Sequence, residues 1–193
     1  MEIIFATHNQ HKRKEIEAAV PKHIRILSLD DVGIFDEIPE TGTTLTENAI
    51  LKAKYVFEKT QKNCFADDTG LEVDALNGEP GVYSARYAGE SKNAQENMKL
   101  LLKKLECTSN RSARFKTVIA LIYNGNLFTF EGIVEGEIIA SPLGDAGFGY
   151  DPIFVPKGFS QTFAQMPLEL KNSISHRGKA LKKLVDFLST LPK

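Results

Sequence analysis

The 193-residue chain carries 24 basic and 25 acidic side chains, which gives a formal net charge of −1 with histidines neutral. This balance excludes a polycation that holds nucleic acid by bulk charge, so we expect no nucleic-acid partner. Hydrophobic residues at 42% and charged residues at 25% exclude a disordered chain and are typical of a globular protein. We expect a single domain over residues 1–193, with room for two lobes.

Cysteine usage and hydropathy favour a cytoplasmic protein. Cys64 and Cys107 lie far apart and are too few for a disulfide framework, which suits a reducing compartment. No apolar run approaches the roughly 20 residues that span a bilayer, and the N-terminal charges follow the apolar stretch instead of preceding it. We therefore expect neither a membrane span nor a signal peptide.

The first part of the chain predicts strands alternating with helices. A β-type run at residues 2–6 precedes a polar turn at 7–12 and a charged helix that ends before Pro21. Residues 24–29 alternate well enough to predict a second strand. After a polar segment, the Thr-x-x-Glu pattern at 44–47 has the spacing of a capping box and predicts a helix from that point.

The middle of the chain places acidic residues next to a predicted strand. A short β-type run at residues 64–66 leads into Asp-Asp-Thr-Gly at 67–70, so we expect the carboxylates at the end of a strand. Residues 71–75 alternate again before a stretch rich in glycine and proline. A second capping signal at Asn93 predicts an amphipathic helix.

The last part of the chain predicts a long antiparallel ribbon. Two β-type runs, 115–123 and 127–139, flank an Asn-Gly pair that tolerates positive φ and favours a hairpin turn. One more strand is predicted at 153–155 and a final helix from near Ser175. Together these elements predict an α/β (mixed α+β) fold, with an elongated central mixed β-sheet flanked by helices and a substrate cleft between two lobes.

Two adjacent carboxylates, Asp67 and Asp68, are the first candidates for chemistry. Followed by Thr-Gly, they can form a Mg²⁺ site or a base beside a metal ligand. Neighbours in a strand point to opposite faces, so only one of them would face a cleft unless the strand has already ended. Alone, the same pattern is more often a turn with a solvated carboxylate.

The polar turn at residues 7–12 is a candidate phosphate site. Backbone N–H groups and the positive end of a helix can receive phosphate there, and Lys12 adds a full charge. The turn is not a P-loop, because it lacks glycine and the Gly-Lys-Ser/Thr ending, and an ordinary N-cap turn explains it equally well. His8, His11 and His23 have no metal-ligand spacing, so we expect surface histidines.

Glu40 and Lys52 form a further pair of candidates around the capped helix. If the loop that carries Glu40 folds toward Asp68, Glu40 can add a hard oxygen ligand to a bound Mg²⁺. Lys52 would then meet phosphate. Each residue alone is better explained as a solvated charge.

Two C-terminal motifs suit a purine base. Phe148 opens the run Phe-Gly-Tyr-Asp-Pro, in which glycine permits close backbone approach and the ring offers a stacking face. His176 and Arg177, preceded by Lys171, provide donors that suit the carbonyl edge of a base. For either motif alone, a core aromatic in a turn or an exposed helix start is a slightly better explanation.

Six motifs follow one another in a fixed order from Thr7 to the last helix. They are Thr7-x-Asn9-x-x-Lys12, Glu40-Thr-Gly-x-Thr followed by Glu47-Asn48-Ala49, Ala66-Asp67-Asp68-Thr69-Gly70-Leu71, Pro80-Gly81-x-Tyr83-Ser84-Ala85-Arg86-Tyr87, Phe148-Gly149-Tyr150-Asp151-Pro152 and Ser175-His176-Arg177-Gly178. Together they resemble the inosine triphosphate pyrophosphatase family. This resemblance implies a homodimeric, Mg²⁺-dependent enzyme that cleanses the nucleotide pool by hydrolysing ITP, dITP and XTP to the monophosphate and pyrophosphate.

The resemblance also implies a role for each matching residue. Asp68 would be the catalytic carboxylate and, with Glu40, a Mg²⁺ ligand, while Asp67 would lie beside them. Lys52 would hold the triphosphate and Thr69 would touch the substrate. The triphosphate would also contact the turn formed by Thr7, His8, Asn9, Gln10, His11 and Lys12. The base would stack on Phe148 in a pocket shaped by Gly149, Tyr150, Asp151, Lys171, His176 and Arg177.

The sequence departs from the family pattern at two positions. His8 stands where members often carry glycine, so the turn and its phosphate contacts require a different backbone angle here, and Thr69 replaces a common serine. Donors from His176 and Arg177 would suit the C6 carbonyl of hypoxanthine and xanthine, which adenine lacks. Such a site can reject the analogue by a factor on the order of 10⁴. Guanine also carries that carbonyl, so the sequence does not explain how GTP would be excluded.

Two other functions stay open. One is a pyrophosphatase for a modified pyrimidine or for nucleotides in general, because a fold does not fix a substrate. The other is a regulatory module that binds a nucleotide without catalysis. The set formed by Glu40, Asp67, Asp68 and Lys52 argues against that module, because a sensor does not need a metal–carboxylate centre.

Overall fold

A mixed β-sheet of seven strands runs through the protein, and the computed structural model describes residues 1–191. The strands are β1 (Glu2–Phe5), β2 (Arg25–Leu27), β3 (Cys64–Val73), β4 (Pro80–Gly81), β5 (Ser112–Tyr123), β6 (Asn126–Ile138) and β7 (Phe154–Pro156). The helices are α1 (Gln10–Ala19), α2 (Leu45–Thr60), α3 (Ala94–Lys104), α4 (Leu168–Ile174) and α5 (His176–Ser189). Residues 192 and 193 of the predicted domain lie outside the described part.

The sheet has the strand order β2-β1-β3-β5-β6-β7, with β4 added on β3. β1 pairs in parallel with β2 and β3, whereas β3, β5, β6 and β7 pair antiparallel. The long hairpin of β5 and β6 turns at Asn124 and Gly125, which have φ values of 48° and 77°. The predicted hairpin and the predicted mixed α/β fold class are therefore confirmed.

Local capping signals set where the helices begin. Thr44 Oγ1 accepts from the Glu47 backbone N–H at 3.1 Å, and the Glu47 carboxylate accepts from the Thr44 N–H at 3.2 Å. This reciprocal pair is the predicted capping box of α2. Asn9, Asn93 and Ser175 cap α1, α3 and α5 with their side chains. The short helix α4 was not predicted.

Apolar residues form three clusters around the sheet. One joins α2 to one face of β3 and β5, around Ala53 and Ala66, and a second joins α5 and α1 to the opposite face, around Phe65. The third lies around Phe115 and Phe154 at the other end of the hairpin. Within residues 1–191, no helix has the length and apolar character required to cross a membrane.

The acidic pair lies inside a strand, so the prediction that it ends a strand was wrong. β3 continues through residues 67–70 because β5 pairs with it residue by residue, with Asp67 opposite Ile119 and Asp68 opposite Val118. The local sequence could not show this partner, which lies about 50 residues further along the chain in the hairpin. Alternation within the strand therefore sends the two carboxylates to opposite faces of the sheet.

Candidate active site

A cleft of about 650 Å³ brings together residues from all six sequence motifs and single residues around them. Its walls come from the turn after β1, the loop before α2, β3, and the loops and helices of the C-terminal third. Nearly all predicted substrate and metal residues line it. These are Thr7, His8, Asn9, His11, Lys12, Glu40, Lys52, Asp68, Thr69, Phe148, Gly149, Tyr150, Asp151, Lys171, His176 and Arg177. Gln10 is exposed and does not line the cleft.

The turn after β1 is organised by Asn9. Its side-chain oxygen accepts from the backbone N–H groups of His11 at 3.0 Å and Lys12 at 3.2 Å. These two helix donors are therefore already satisfied within the chain. The strongest remaining attraction for phosphate at this turn is the Lys12 ammonium, and Lys52 lines the same cleft.

Asp67 is held in a buried ion network on the α1 and α5 side of the sheet. Its carboxylate accepts from Lys12 Nζ at 3.1 Å and from Arg177 Nε at 3.1 Å. Burial opposes ionisation of Asp67, but the charges of Lys12 and Arg177 outweigh burial and hold its pKa well below the ordinary value. Asp67 is therefore an ionised anchor for two cations, and it does not itself line the cleft.

Asp68 projects to the α2 side of the sheet and into the cleft. Its carboxylate accepts from Asn48 Nδ2 at 3.2 Å and from Lys52 Nζ at 3.3 Å. Burial raises the pKa of Asp68, and the attraction of Lys52 only partly offsets that effect. A carboxylate with a raised pKa, close to a cation in a cleft, is suited to accept a proton from water.

Glu40 meets the same lysine from the loop before α2. Lys52 Nζ donates to the Glu40 carboxylate as well as to Asp68. Burial opposes ionisation of Glu40, but Lys52 outweighs burial and lowers the pKa of Glu40. The predicted approach of this loop to Asp68 is thus present in the fold, with one ammonium between two carboxylates.

The donor set at Glu40 and Asp68 fits a Mg²⁺ ion that shares its shell with a substrate. Among residues 1–191, no three His, Cys, Asp or Glu side chains converge into a complete cage. Mg²⁺ does not require such a cage, because it commonly takes one or two carboxylates and completes its coordination with phosphates and water. The two carboxylates on Lys52 meet that requirement.

The other end of the cleft carries the aromatic motif. Asp151 accepts from the Phe148 backbone N–H at 2.8 Å and from Lys171 Nζ at 2.5 Å, which folds the loop around a buried ion pair. Lys171 also donates to Glu15 at 2.6 Å, and its ammonium lies 5.2 Å from the centre of the Phe148 ring. Burial raises the pKa of Asp151 despite Lys171. Phe148 is therefore fixed at its backbone and half-buried.

His176 and Arg177 begin α5, and both are buried, so the alternative of an exposed helix start was wrong. The His176 ring stacks on Phe115 with centroids 4.6 Å apart, and its Nδ1 has no hydrogen-bond partner among the described residues. Burial and then the nearby charge of Arg177 lower the pKa of His176 well below its ordinary value. The imidazole is therefore neutral near pH 7.

The sequence predicts that Arg177 donates hydrogen bonds to the base, but in the structure its guanidinium bonds to other side chains of the protein. Its guanidinium donates to Asp67, to Glu15 and, at 3.1 Å, to Thr69 Oγ1. The predicted base donor is thus engaged with the protein on three nitrogens. It links three elements of the cleft wall, and the Thr69 hydroxyl is part of the same network.

Sequence reasoning missed three supporting residues. Glu15 lies three residues after Lys12 on α1, a spacing that puts both on one helix face and would have indicated it. Asn48 belongs to the second motif, which indicates no role for it, and its side-chain amide donates to Asp68. Thr117 is opposite Thr69 in the sheet, with their hydroxyls 2.7 Å apart, and no local signal indicated it.

Known proteins match this chain along almost its full length. A family model described as the Ham1 family matches residues 3–187. A dITP/XTP pyrophosphatase of Flavobacterium johnsoniae is 58% identical over 189 residues, which cover 98% of each chain. A dITP/XTP pyrophosphatase of Porphyromonas gingivalis is 50% identical over 187 residues, which cover 96% of each chain.

Solved structures agree with the sequence matches. The Ham1 protein of Staphylococcus aureus superposes with a TM-score of 0.87 at 43% identity, covering 98% of both chains. A HAM1 protein of Coxiella burnetii superposes with a TM-score of 0.90 at 40% identity, covering 99% of this chain and 100% of the other. The resemblance predicted from the six motifs is confirmed.

Proposed function

Because the chain belongs to the Ham1 family, we propose that it is a Mg²⁺-dependent pyrophosphatase that hydrolyses dITP, ITP and XTP to the monophosphate and pyrophosphate. The expectation of an enzyme is confirmed, since the curated relatives, at 44–58% identity over nearly the full chain, are named dITP/XTP pyrophosphatases. Removing such nucleotides cleanses the nucleotide pool.

The observation that carries the proposal is the meeting of Glu40, Lys52 and Asp68 in one cleft with Phe148. A triphosphate requires cations where charge develops on the leaving pyrophosphate, and Lys12 and Lys52 supply two of them. A Mg²⁺ ion held by Glu40 and Asp68 would neutralise further phosphate charge. This arrangement suits cleavage between the α- and β-phosphates.

Asp68 is the residue that we assign to the attacking water. Its carboxylate would orient a water molecule and take its proton while the oxygen bonds to the α-phosphorus. The bond from that phosphorus to the bridging oxygen then breaks, and pyrophosphate leaves. Asn48 holds the other carboxylate oxygen and thereby keeps Asp68 in one orientation.

His176 supports selection of the base. Its Nδ1 is buried without a partner, which is costly unless a ligand completes the hydrogen bond. In the Nδ1–H tautomer it would donate to the C6 carbonyl of hypoxanthine or xanthine. The amino group of adenine is itself a donor and would leave Nδ1–H unpaired.

Product analysis tests this function. The purified protein is incubated with Mg²⁺ and dITP, XTP, dTTP, dUTP, GTP or ATP, and monophosphate plus pyrophosphate is scored against diphosphate plus phosphate. Selective release of pyrophosphate from dITP and XTP supports the proposal. Equal hydrolysis of all six nucleotides, or preference for a pyrimidine, contradicts the base assignment. Binding of dITP without product favours the regulatory module.

The proposal includes a homodimer in the cytoplasm. Large apolar side chains are exposed at Tyr83 and Leu143, and contact with a second copy would remove their surface from water. The two free thiols, Cys64 and Cys107, suit a reducing compartment. Light scattering coupled to gel filtration tests the oligomeric state, with a monomer mass contradicting the dimer.

A further inference from the structure

The rings of His11 and Phe148 stack on each other inside the cleft. Their centroids lie 5.2 Å apart and their planes differ by 19°. His11 stands on the first turn of α1 and is exposed, whereas Phe148 is half-buried in the loop before β7. Both residues line the cleft. Two aromatic rings from distant parts of the chain therefore stack at the end of the cleft that is also lined by Lys171 and His176.

The ring of His11 has no other partner in the part of the chain that the structure describes. Its backbone N–H donates to Asn9, but its ring nitrogens make no hydrogen bond or ion pair within residues 1–191. Capping of α1 therefore does not depend on the imidazole. The ring lies against Phe148, although the turn as a whole is expected to meet phosphate.

We propose that the purine base inserts between His11 and Phe148, so that His11 forms the second face of the base site. The inference deepens the proposed function and rests on it for the identity of the ligand. A planar base between two rings requires about 7 Å between them, since each stacked layer takes about 3.5 Å. The two rings must therefore separate by roughly 2 Å when a base enters.

His11 is the ring that moves. The Phe148 backbone N–H is tied to Asp151, and the flanking Gly147 and Gly149 have φ values of 74° and 63°, which define the shape of the loop. A side chain at Gly147 would collide with the Asp151 carboxylate at 2.1 Å, so the loop closes tightly on that residue. The exposed His11 side chain can swing by rotation about its own bonds.

Stacking by His11 is expected to strengthen binding of every purine, because each base offers a flat π-face. It therefore adds affinity without choosing among bases. Selection would stay with the polar groups around His176. The two contributions are separable by experiment, since one depends on having a base and the other on its C6 substituent.

The experiment compares one ligand that has a base with one that lacks it, in the unaltered protein and in three variants. Dissociation constants of IMP and of inorganic tripolyphosphate are measured by calorimetry in EDTA, where no metal supports turnover. His11→Ala is expected to weaken IMP binding about tenfold, within the roughly 5- to 150-fold range of lost base stacking. His11→Phe is expected to keep IMP affinity within about threefold, because the flat face remains. Tripolyphosphate affinity stays unchanged in both variants.

His23→Ala is the matched control, since His23 is also exposed but does not line the cleft. Equal weakening of IMP and tripolyphosphate in His11→Ala would assign His11 to phosphate and overturn the proposal. Tighter IMP binding would show that His11 blocks the site, and unchanged binding, or no IMP binding to the unaltered protein, also overturns it. The loss of IMP affinity in His11→Ala does not depend on hydrolysis of dITP. Product analysis therefore tests the proposed reaction separately from these binding measurements.

Discussion

Asp67 and Asp68 are neighbours in β3, yet their carboxylates enter separate ion networks on opposite faces of the sheet. Asp67 meets Lys12 and Arg177, and Asp68 meets Lys52. The pKa of Asp67 is held low by its two cations in spite of burial, whereas burial raises the pKa of Asp68. Asp67 therefore suits a structural role, whereas Asp68 suits a role in catalysis.

Asp68→Asn is expected to lower kcat for dITP by about 10² to 10⁴, the usual contribution of a positioned general base. Asparagine keeps the size of the side chain and removes its ability to take a proton. Circular dichroism should show an unchanged fold. Turnover within a few-fold of the unaltered protein would remove Asp68 from the proposed mechanism.

Asp67→Asn is the matched substitution one residue earlier, and its expected effect is on stability. Removing this charge leaves Lys12 and Arg177 without their shared buried partner, which costs about 3 to 5 kcal/mol in comparable buried pairs. Urea unfolding measures the free energy of unfolding of this variant and of Asp68→Asn. The loss is expected to be smaller for Asp68→Asn, because burial already disfavours ionisation of Asp68. Equal stabilities of the two variants would contradict the division between the faces.

Glu15→Gln is expected to flatten the acid dependence of stability. Burial opposes ionisation of Glu15, but Arg177 and Lys171 outweigh it and lower its pKa below the ordinary 4.5. The unfolded chain then binds the proton more readily, so the stabilisation is complete above pH 4.5 and is lost as pH falls through the lower pKa of the folded state. Urea unfolding from pH 7 to pH 3 provides the measurement. A variant that follows the unaltered protein at every pH would show no linkage at Glu15.

His176→Phe is expected to reduce discrimination between dITP and dATP by roughly tenfold or more, because one buried hydrogen bond to the base is lost. Phenylalanine preserves the stack on Phe115, which separates packing from donation. The measurement is the ratio of kcat/KM for the two nucleotides. An unchanged ratio would place base selection on another group.

Local chemistry explains which features were predictable from sequence. The capping box of α2 and the Asn-Gly hairpin depend on residues within a few positions of each other, and both were predicted at their observed places. The local pattern predicts that a strand ends at the acidic pair. The strand continues because β3 pairs with β5, and no local pattern reveals that pairing.

In the candidate site too, contacts between residues distant in the chain could not be predicted from local patterns. Motifs identified most residues of the cleft, but not how their donors are shared. Arg177 was expected to face the base, and only the fold shows that Glu15, Asp67 and Thr69 occupy its guanidinium. Glu15 itself lay within reach of a helix-face argument from Lys12, whereas the pairing of Thr117 with Thr69 required the sheet register.

The Arg177 cross-link has a consequence for how the protein matures on the ribosome. Glu15 and Arg177 are separated by 162 positions in the chain, so Glu15 on the first helix lacks this counter-charge until residue 177 has been synthesised. Asp67 waits for the same side chain. A nascent chain that stops before α5 therefore carries the proposed catalytic carboxylate without a finished cleft, and we expect such a chain to be inactive.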